Sequence, residues 1–252
     1  MNDFEFRVIS PKRSGHHALV LWLSGLFEDS VLHLNDVELT KDPFATRKGQ
    51  TFINELLGKG SLTPNRRNHR RCVVLSYEDL DLTKVKGESD FDSSRWLGDS
   101  GQIRNLLCLR DPYNMLASRF ALWSMDVTER HAEILKIWCE HAREFLGYTK
   151  ILPGRIAVSF NKFVMEERYR RELCRQLGLS FRDAGFRPIP SGLIGGSSFS
   201  GTYGSHVSAA DLLSRWKIYE KDANFWRFFY AVPEAEELSR KIFGPVVDRA
   251  AN

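Results

Sequence analysis

The residues best suited to chemistry stand together near the start of the sequence, in Lys12-Arg13-Ser14-Gly15-His16-His17. A short apolar strand, about Glu5–Ile9, runs into this basic turn, and Pro11 stops the strand because it has no N–H to donate. An apolar helix leaves the turn, with Leu19, Leu23, Leu26 and Phe27 at helical spacing. Such a junction aims unbonded backbone N–H groups and the positive end of the helix dipole at whatever sits in the turn, so it favours phosphate or sulfate. Lys12 and Arg13 add positive charge, and Ser14 adds a hydroxyl. Gly15 is followed by two histidines, not by the Lys and Ser or Thr that would hold a triphosphate and magnesium, which disfavours a metal-dependent NTPase. No metal is expected.

A second group follows apparent strands later in the chain. RCVVLSY at 71–77 is almost continuously apolar, as in a strand buried on both faces of a parallel sheet, and it leads into Glu78 and Asp79. Ligands of open α/β sheets bind beyond the carboxyl ends of strands, which would bring these carboxylates near the turn. Glu78 could act on a ligand there or simply cap a helix or turn, and Asp79 is one residue away. Asn105–Leu109 reads as another strand, and Asp111-Pro112 as the N-cap and first position of the next helix. Arg110 then stands at a strand end and Ser118 on the helix beyond. A guanidinium fork binds phosphate bidentately and a hydroxyl can complete its shell. His33 and Asp36 are possible substrate-side groups, or simply a surface histidine and a turn aspartate.

PKRSGHHAL resembles the 5′-phosphosulfate loop of sulfotransferases that use 3′-phosphoadenosine 5′-phosphosulfate (PAPS), with two histidines in place of two threonines and Lys12 inserted between the proline and Arg13. Arg110 with Ser118 resembles the same family's 3′-phosphate site. The resemblance implies PAPS as co-substrate and sulfuryl transfer to an acceptor hydroxyl or amine. It places Lys12, Arg13, Ser14, Gly15, His16, His17, Arg110 and Ser118 on the donor, with Ser197, Ser198 and Arg215 in a later loop that would close over the nucleotide. Arg13, or Lys12, would neutralise the leaving group, and Glu78, His16 or His17 would take the acceptor's proton. Tyr-Glu-Asp, frequent in relatives after a strand, is replaced by Phe160-Asn161-Lys162, so no catalytic part falls there.

Composition sets the frame for these motifs. The 252 residues suit one α/β domain, 1–252, a P-loop-like three-layer sandwich with a mostly parallel sheet of four or five strands between helices. Hydrophobic residues at 42% and charged ones at 27% exclude a disordered chain, and a net charge of +4 is too small to demand nucleic acid. The basic run at 65–71 has no interleaved aromatics to stack bases, so a solvated loop is expected there. Four widely spaced cysteines, with no C-x-x-C, fit free thiols. Ala18–Phe27 is too short to span a bilayer, and a cytoplasmic protein is expected. Residues 83–101 read as a mobile loop or lid, and 161–177 as one helix closed by Gly178. A small-molecule or carbohydrate acceptor would be chosen by loops 28–70, 83–101 and 191–205. A nucleotide-dependent phosphotransferase and a non-catalytic nucleotide-binding protein are the competing readings.

Overall fold

The computed structural model describes residues 1–28, 31–46, 69–122, 130–183 and 208–246. Five strands, β1 (Asn2–Ser10), β2 (Val31–Leu34), β3 (Arg70–Glu78), β4 (Ser100–Leu109) and β5 (Ile156–Ser159), pair in parallel in the order β2-β3-β1-β4-β5. The chain leaves β1 through helix α1 (His16–Gly25), passes to the edge strand β2, returns to β3 on one side of β1 and then crosses to β4 on the other. Strand order therefore reverses at β1. In open parallel sheets a crevice forms there, beyond the strand carboxyl ends.

The period of two along each strand divides the core. Phe6, Val8, Cys72, Val74, Leu106 and Cys108 face α1 and the helices that follow β5. Ile9, Val73, Leu75 and Leu107 face the opposite way, against Leu82, Phe91 and Leu97. Beyond β4, a third cluster joins α2 (Pro112–Leu122), α3 (Arg130–Leu146) and two later helices through Leu116, Trp138, Phe225, Phe229 and Leu238. The α/β architecture expected from alternating apolar runs is thus the observed one, with every strand pair parallel. The four cysteines are buried and free. No helix among the described residues is long and apolar enough to cross a membrane.

Three sequence expectations need correction. β1 and β4 begin earlier than their apolar segments, at Asn2 and Ser100, because ladder pairing continues where the side chains turn polar. Within the expected part of β1, Arg7 and Glu5 form a buried ion pair at 2.7 Å. Residues 83–99 are not a loose loop: they run from the carboxyl end of β3, where Thr40 N donates to Asp90 O at 3.0 Å, down the sheet to its other end. Phe91 is buried edge-on to Tyr77, with ring centroids 5.1 Å apart, and Asp99 O accepts from Asn2 N at 2.7 Å, at the opposite end of the sheet. The segment after β5 is two helices, α4 (Phe160–Met165) and α5 (Glu167–Leu177), broken at the extended Glu166. The loop 191–205 and the chain from 47 to 68 lie outside the described residues.

Candidate active site

The turn after β1 is held in shape from below. Asp79 adopts φ 52° directly after β3, and its Oδ1 accepts from Lys12 N at 2.8 Å. Arg119 of α2, almost fully buried, donates to the Asp79 carboxylate and, through Nε, to Lys12 O at 3.1 Å. Asp79 is therefore the structural carboxylate of the pair, and Glu78 is the one turned toward the histidines. Ser14 N donates to Pro11 O at 3.2 Å, so that N–H is spent within the turn. The first helical bonds of α1 run from Ala18 N and Leu19 N to Gly15 O, leaving the N–H groups of Gly15, His16 and His17 without helical partners.

Two residues of the turn are left-handed, Arg13 at φ 71° and Gly15 at φ 86°. At position 15 a Cβ would lie 2.1 Å from Phe160 Cε2, so the aromatic ring at the start of α4 closes against the bare backbone. Phe160 had no assigned part in the sequence reading. It forms the floor of the turn, and its ring also lies 5.3 Å from the Arg110 guanidinium carbon.

The two basic residues of the turn go separate ways. Lys12 Nζ donates to Asp36 Oδ2 at 3.1 Å and lies 3.9 Å from Glu78 Oε2. Arg13 Nε donates to Ser118 Oγ at 2.9 Å. The structure thus brings the loop after β1 and the helix after β4 into one cleft. Arg110 is buried there, donating to Leu212 O and, at 3.4 Å, to Arg13 O, while Trp138 Nε1 holds its carbonyl at 2.8 Å. Burial pushes the Arg110 guanidinium down to about 9, with the Asp111 carboxylate opposing and the charges of Arg215 and Arg13 adding to the fall. Burial likewise lowers Arg215 to about 10, with Arg13 adding to it. Three arginines concentrate positive charge in one place, an arrangement that an anion would relieve. Arg110 Nε and Ser14 Oγ are buried and find no hydrogen-bond partner among the described residues. Buried polar atoms of this kind normally have partners, and both fit an oxyanion ligand.

On the other side of the turn the histidines form a cluster. His16 Nε2 lies 2.8 Å from Glu78 Oε1 and 3.3 Å from Asn35 Oδ1, and His17 Nε2 lies 3.2 Å from the same Asn35 oxygen. The two imidazoles lie with ring centroids 4.0 Å apart at a 47° tilt, and His33 meets His17 edge-on at 6.3 Å. Burial opposes ionisation of Glu78, but His16, His17 and Lys12 together hold its carboxyl below the usual range. Burial, then the neighbouring His16, push the His17 imidazole down to about 3. His33 is not a surface residue: it is buried, with Nε2 2.7 Å from Ser76 Oγ. Asp36 is buried too, at the expected turn, with φ 50°.

Of the residues expected to act together, Lys12, Arg13, Ser14, Gly15, His16, His17, Glu78, Arg110, Ser118 and Arg215 converge on this cleft. Ser197 and Ser198 lie outside the described residues. Sequence reasoning missed Asn35 and Arg119. Asn35 carried one faint signal, a polar residue directly after the apolar VLHL, whereas Arg119 was indistinguishable from any helix arginine. Asn161 was also passed over, although its amide pairs with Asp111, donating from Nδ2 at 2.9 Å and accepting the Asp111 N–H at 3.3 Å.

No protein-family model matches the chain, and no curated protein matches it. Among solved structures it is similar to the sulfotransferase domain of the Synechococcus PCC 7002 olefin synthase, with a TM-score of 0.49 and 16% identity over 94% of this chain and 95% of that one. It is similar also to the sulfotransferase domain of the curacin biosynthetic pathway, with a TM-score of 0.45 and 16% identity over 92% of this chain and 98% of that one. Mouse sulfotransferase SULT7A1, in complex with PAP, is a third, with a TM-score of 0.44 and 11% identity over 94% of this chain and 89% of that one.

Proposed function

We propose that the chain is a sulfotransferase that moves the sulfuryl group of PAPS to a hydroxyl or amine of a small-molecule or carbohydrate acceptor. The observation that carries this reading is the meeting of Arg13 and Ser118, which joins two oxyanion grips in one cleft. One grip is the turn, with the N–H groups of Gly15, His16 and His17 and the Ser14 hydroxyl. The other is Arg110 with Ser118, and Arg215 stands nearby. A donor phosphorylated at both ends of its ribose suits two grips, and a nucleoside monophosphate suits only one.

The turn would hold the 5′-phosphosulfate. The acceptor oxygen or nitrogen forms a bond to sulfur as the bond from sulfur to the bridging phosphate oxygen breaks in line, releasing 3′-phosphoadenosine 5′-phosphate. Arg13 neutralises the charge that grows on that departing oxygen. Lys12, bonded to Asp36, is drawn to the acceptor side instead. The acceptor's proton passes to the Glu78–His16 pair, an imidazole oriented by a carboxylate at 2.8 Å.

Calorimetry tests the donor. 3′-phosphoadenosine 5′-phosphate should bind more tightly than ATP or AMP, and Arg110→Ala or Arg13→Ala should each weaken it by about 10- to 100-fold, the worth of a hydrogen bond to a charged group. Equal binding of AMP and the bisphosphate, unchanged in the Arg110 variant, would discard the second phosphate pocket.

A further inference from the structure

We propose that His16, His17, Glu78 and Asn35 bind one divalent metal ion of the zinc class, at a site that borders the anion turn. One donor atom from each of His16, His17 and Glu78 lies within 4.8 Å of the others. The close pairs measure 2.8 Å from His16 Nε2 to Glu78 Oε1, 3.3 Å from His16 Nε2 to Asn35 Oδ1 and 3.2 Å from His17 Nε2 to Asn35 Oδ1. Tetrahedral zinc, with bonds of about 2.0–2.1 Å to nitrogen and oxygen, sets its donor atoms about 3.3 Å apart. The two Asn35 contacts have that spacing, while His16 Nε2 and Glu78 Oε1, at 2.8 Å, would have to part by about 0.5 Å to admit the ion. Two imidazoles and a carboxylate suit zinc and its first-row neighbours and not magnesium or calcium.

With both imidazoles as Nε2–H tautomers, hydrogen bonds hold the cluster together: His16 donates to Glu78 Oε1 at 2.8 Å and His17 to Asn35 Oδ1 at 3.2 Å, with His16 Nε2 also 3.3 Å from that amide oxygen. The same lone pairs face one another once those protons leave. An ion accepts lone pairs from all four residues at once. The surroundings also hold the ligands in place. The second Glu78 oxygen lies 3.9 Å from Lys12 Nζ, the two imidazoles pack against each other at a tilt, and His33 packs edge-on against His17. Lys12, the nearest cation, is itself bonded to Asp36 at 3.1 Å.

This inference departs from the expectation of a metal-free site and goes beyond the donor reading, since it rests on side-chain geometry alone. If both hold, His16 and Glu78 serve as ligands in place of taking the acceptor's proton themselves, and the ion would polarise the acceptor hydroxyl and ease loss of its proton to solvent.

The test uses the full chain, stripped by a chelator and titrated with zinc chloride by calorimetry, then with Co²⁺ to read the visible absorption of a four-coordinate ion. One ion per chain is expected, together with an intense Co²⁺ spectrum. Affinity should fall at least tenfold in His17→Ala and in Glu78→Gln, and stay unchanged in His69→Ala, an exposed histidine on Asp3. Absence of stoichiometric binding, a six-coordinate Co²⁺ spectrum in the unmutated chain, or a loss confined to His69→Ala would overturn the site. Binding of 3′-phosphoadenosine 5′-phosphate to the stripped chain is measured separately, so a failed metal titration leaves the donor reading standing.

Discussion

Arg13 Nε and Ser118 Oγ lie 2.9 Å apart although 105 positions separate them in sequence. The bond ties Arg13, one of the two left-handed residues of the turn, to the helix after β4. Ser118→Ala removes both this tether and a hydroxyl of the second grip. Calorimetry should show the bisphosphate bound about tenfold more weakly, at the lower end for a hydrogen bond to a charged group, and unchanged affinity would mean that Arg13 is positioned by other contacts.

Gly15 combines a φ of 86° with an ideal Cβ position 2.1 Å from the Phe160 ring. Gly15→Ala adds left-handed strain to overpacking, together about 2–4 kcal/mol. Thermal melting should show a clear fall in Tm. A Tm within a degree of the parent would indicate that Phe160 swings aside at no cost.

Arg119 braces the turn from beneath through Lys12 O and Asp79. Arg119→Met would leave Asp79 without its guanidinium, at a cost of about 3 kcal/mol, the low end for a buried pair because the Asp79 side chain is 23% exposed. Urea denaturation reads the loss directly. Anion affinity should drop with it, since Lys12 and Arg13 lose their anchor, and a variant of full stability would deny Arg119 this role.

His141 is buried with Nε2 2.8 Å from Leu80 O, and burial pushes its imidazole down from 6.5 to about 4. Between those values the unfolded chain carries a proton that the folded chain refuses. Lowering the pH through this window therefore favours unfolding, by up to about 3 kcal/mol at pH 4 relative to pH 7. Denaturation curves from pH 7 to 4 should show the slope, to which the depressed His17 and His33 add in the same sense, and His141→Gln should reduce it by one proton's share. An equal slope in the variant would assign the effect to other groups.

The central strands were legible because apolar runs such as VVLSY and NLLCL are forced into a sheet covered on both faces. The start of β1, at Asn2 and Asp3, and the start of β4 were not, because pairing through backbone atoms leaves no apolar trace where the side chains are polar. Residues 83–99 read as a loop for their polarity and glycines, yet two apolar anchors, Phe91 and Leu97, suffice to pin them to the sheet.

By itself the sequence determined the kinds of chemistry available: a strand, a basic turn and a helix must present N–H groups to an anion, and an arginine after a buried strand must stand at the sheet's carboxyl edge. It also determined that histidines occupy the turn where a magnesium-holding hydroxyl would otherwise follow. Only the tertiary structure decided which partners each group meets. It separated Glu78 from Asp79, sent Lys12 to Asp36 and Arg13 to Ser118, and brought Asn35 against both histidines. The reason is that local chain geometry depends on neighbouring residues, whereas side-chain partnerships across a parallel sheet depend on strand order and register, which link positions tens of residues apart.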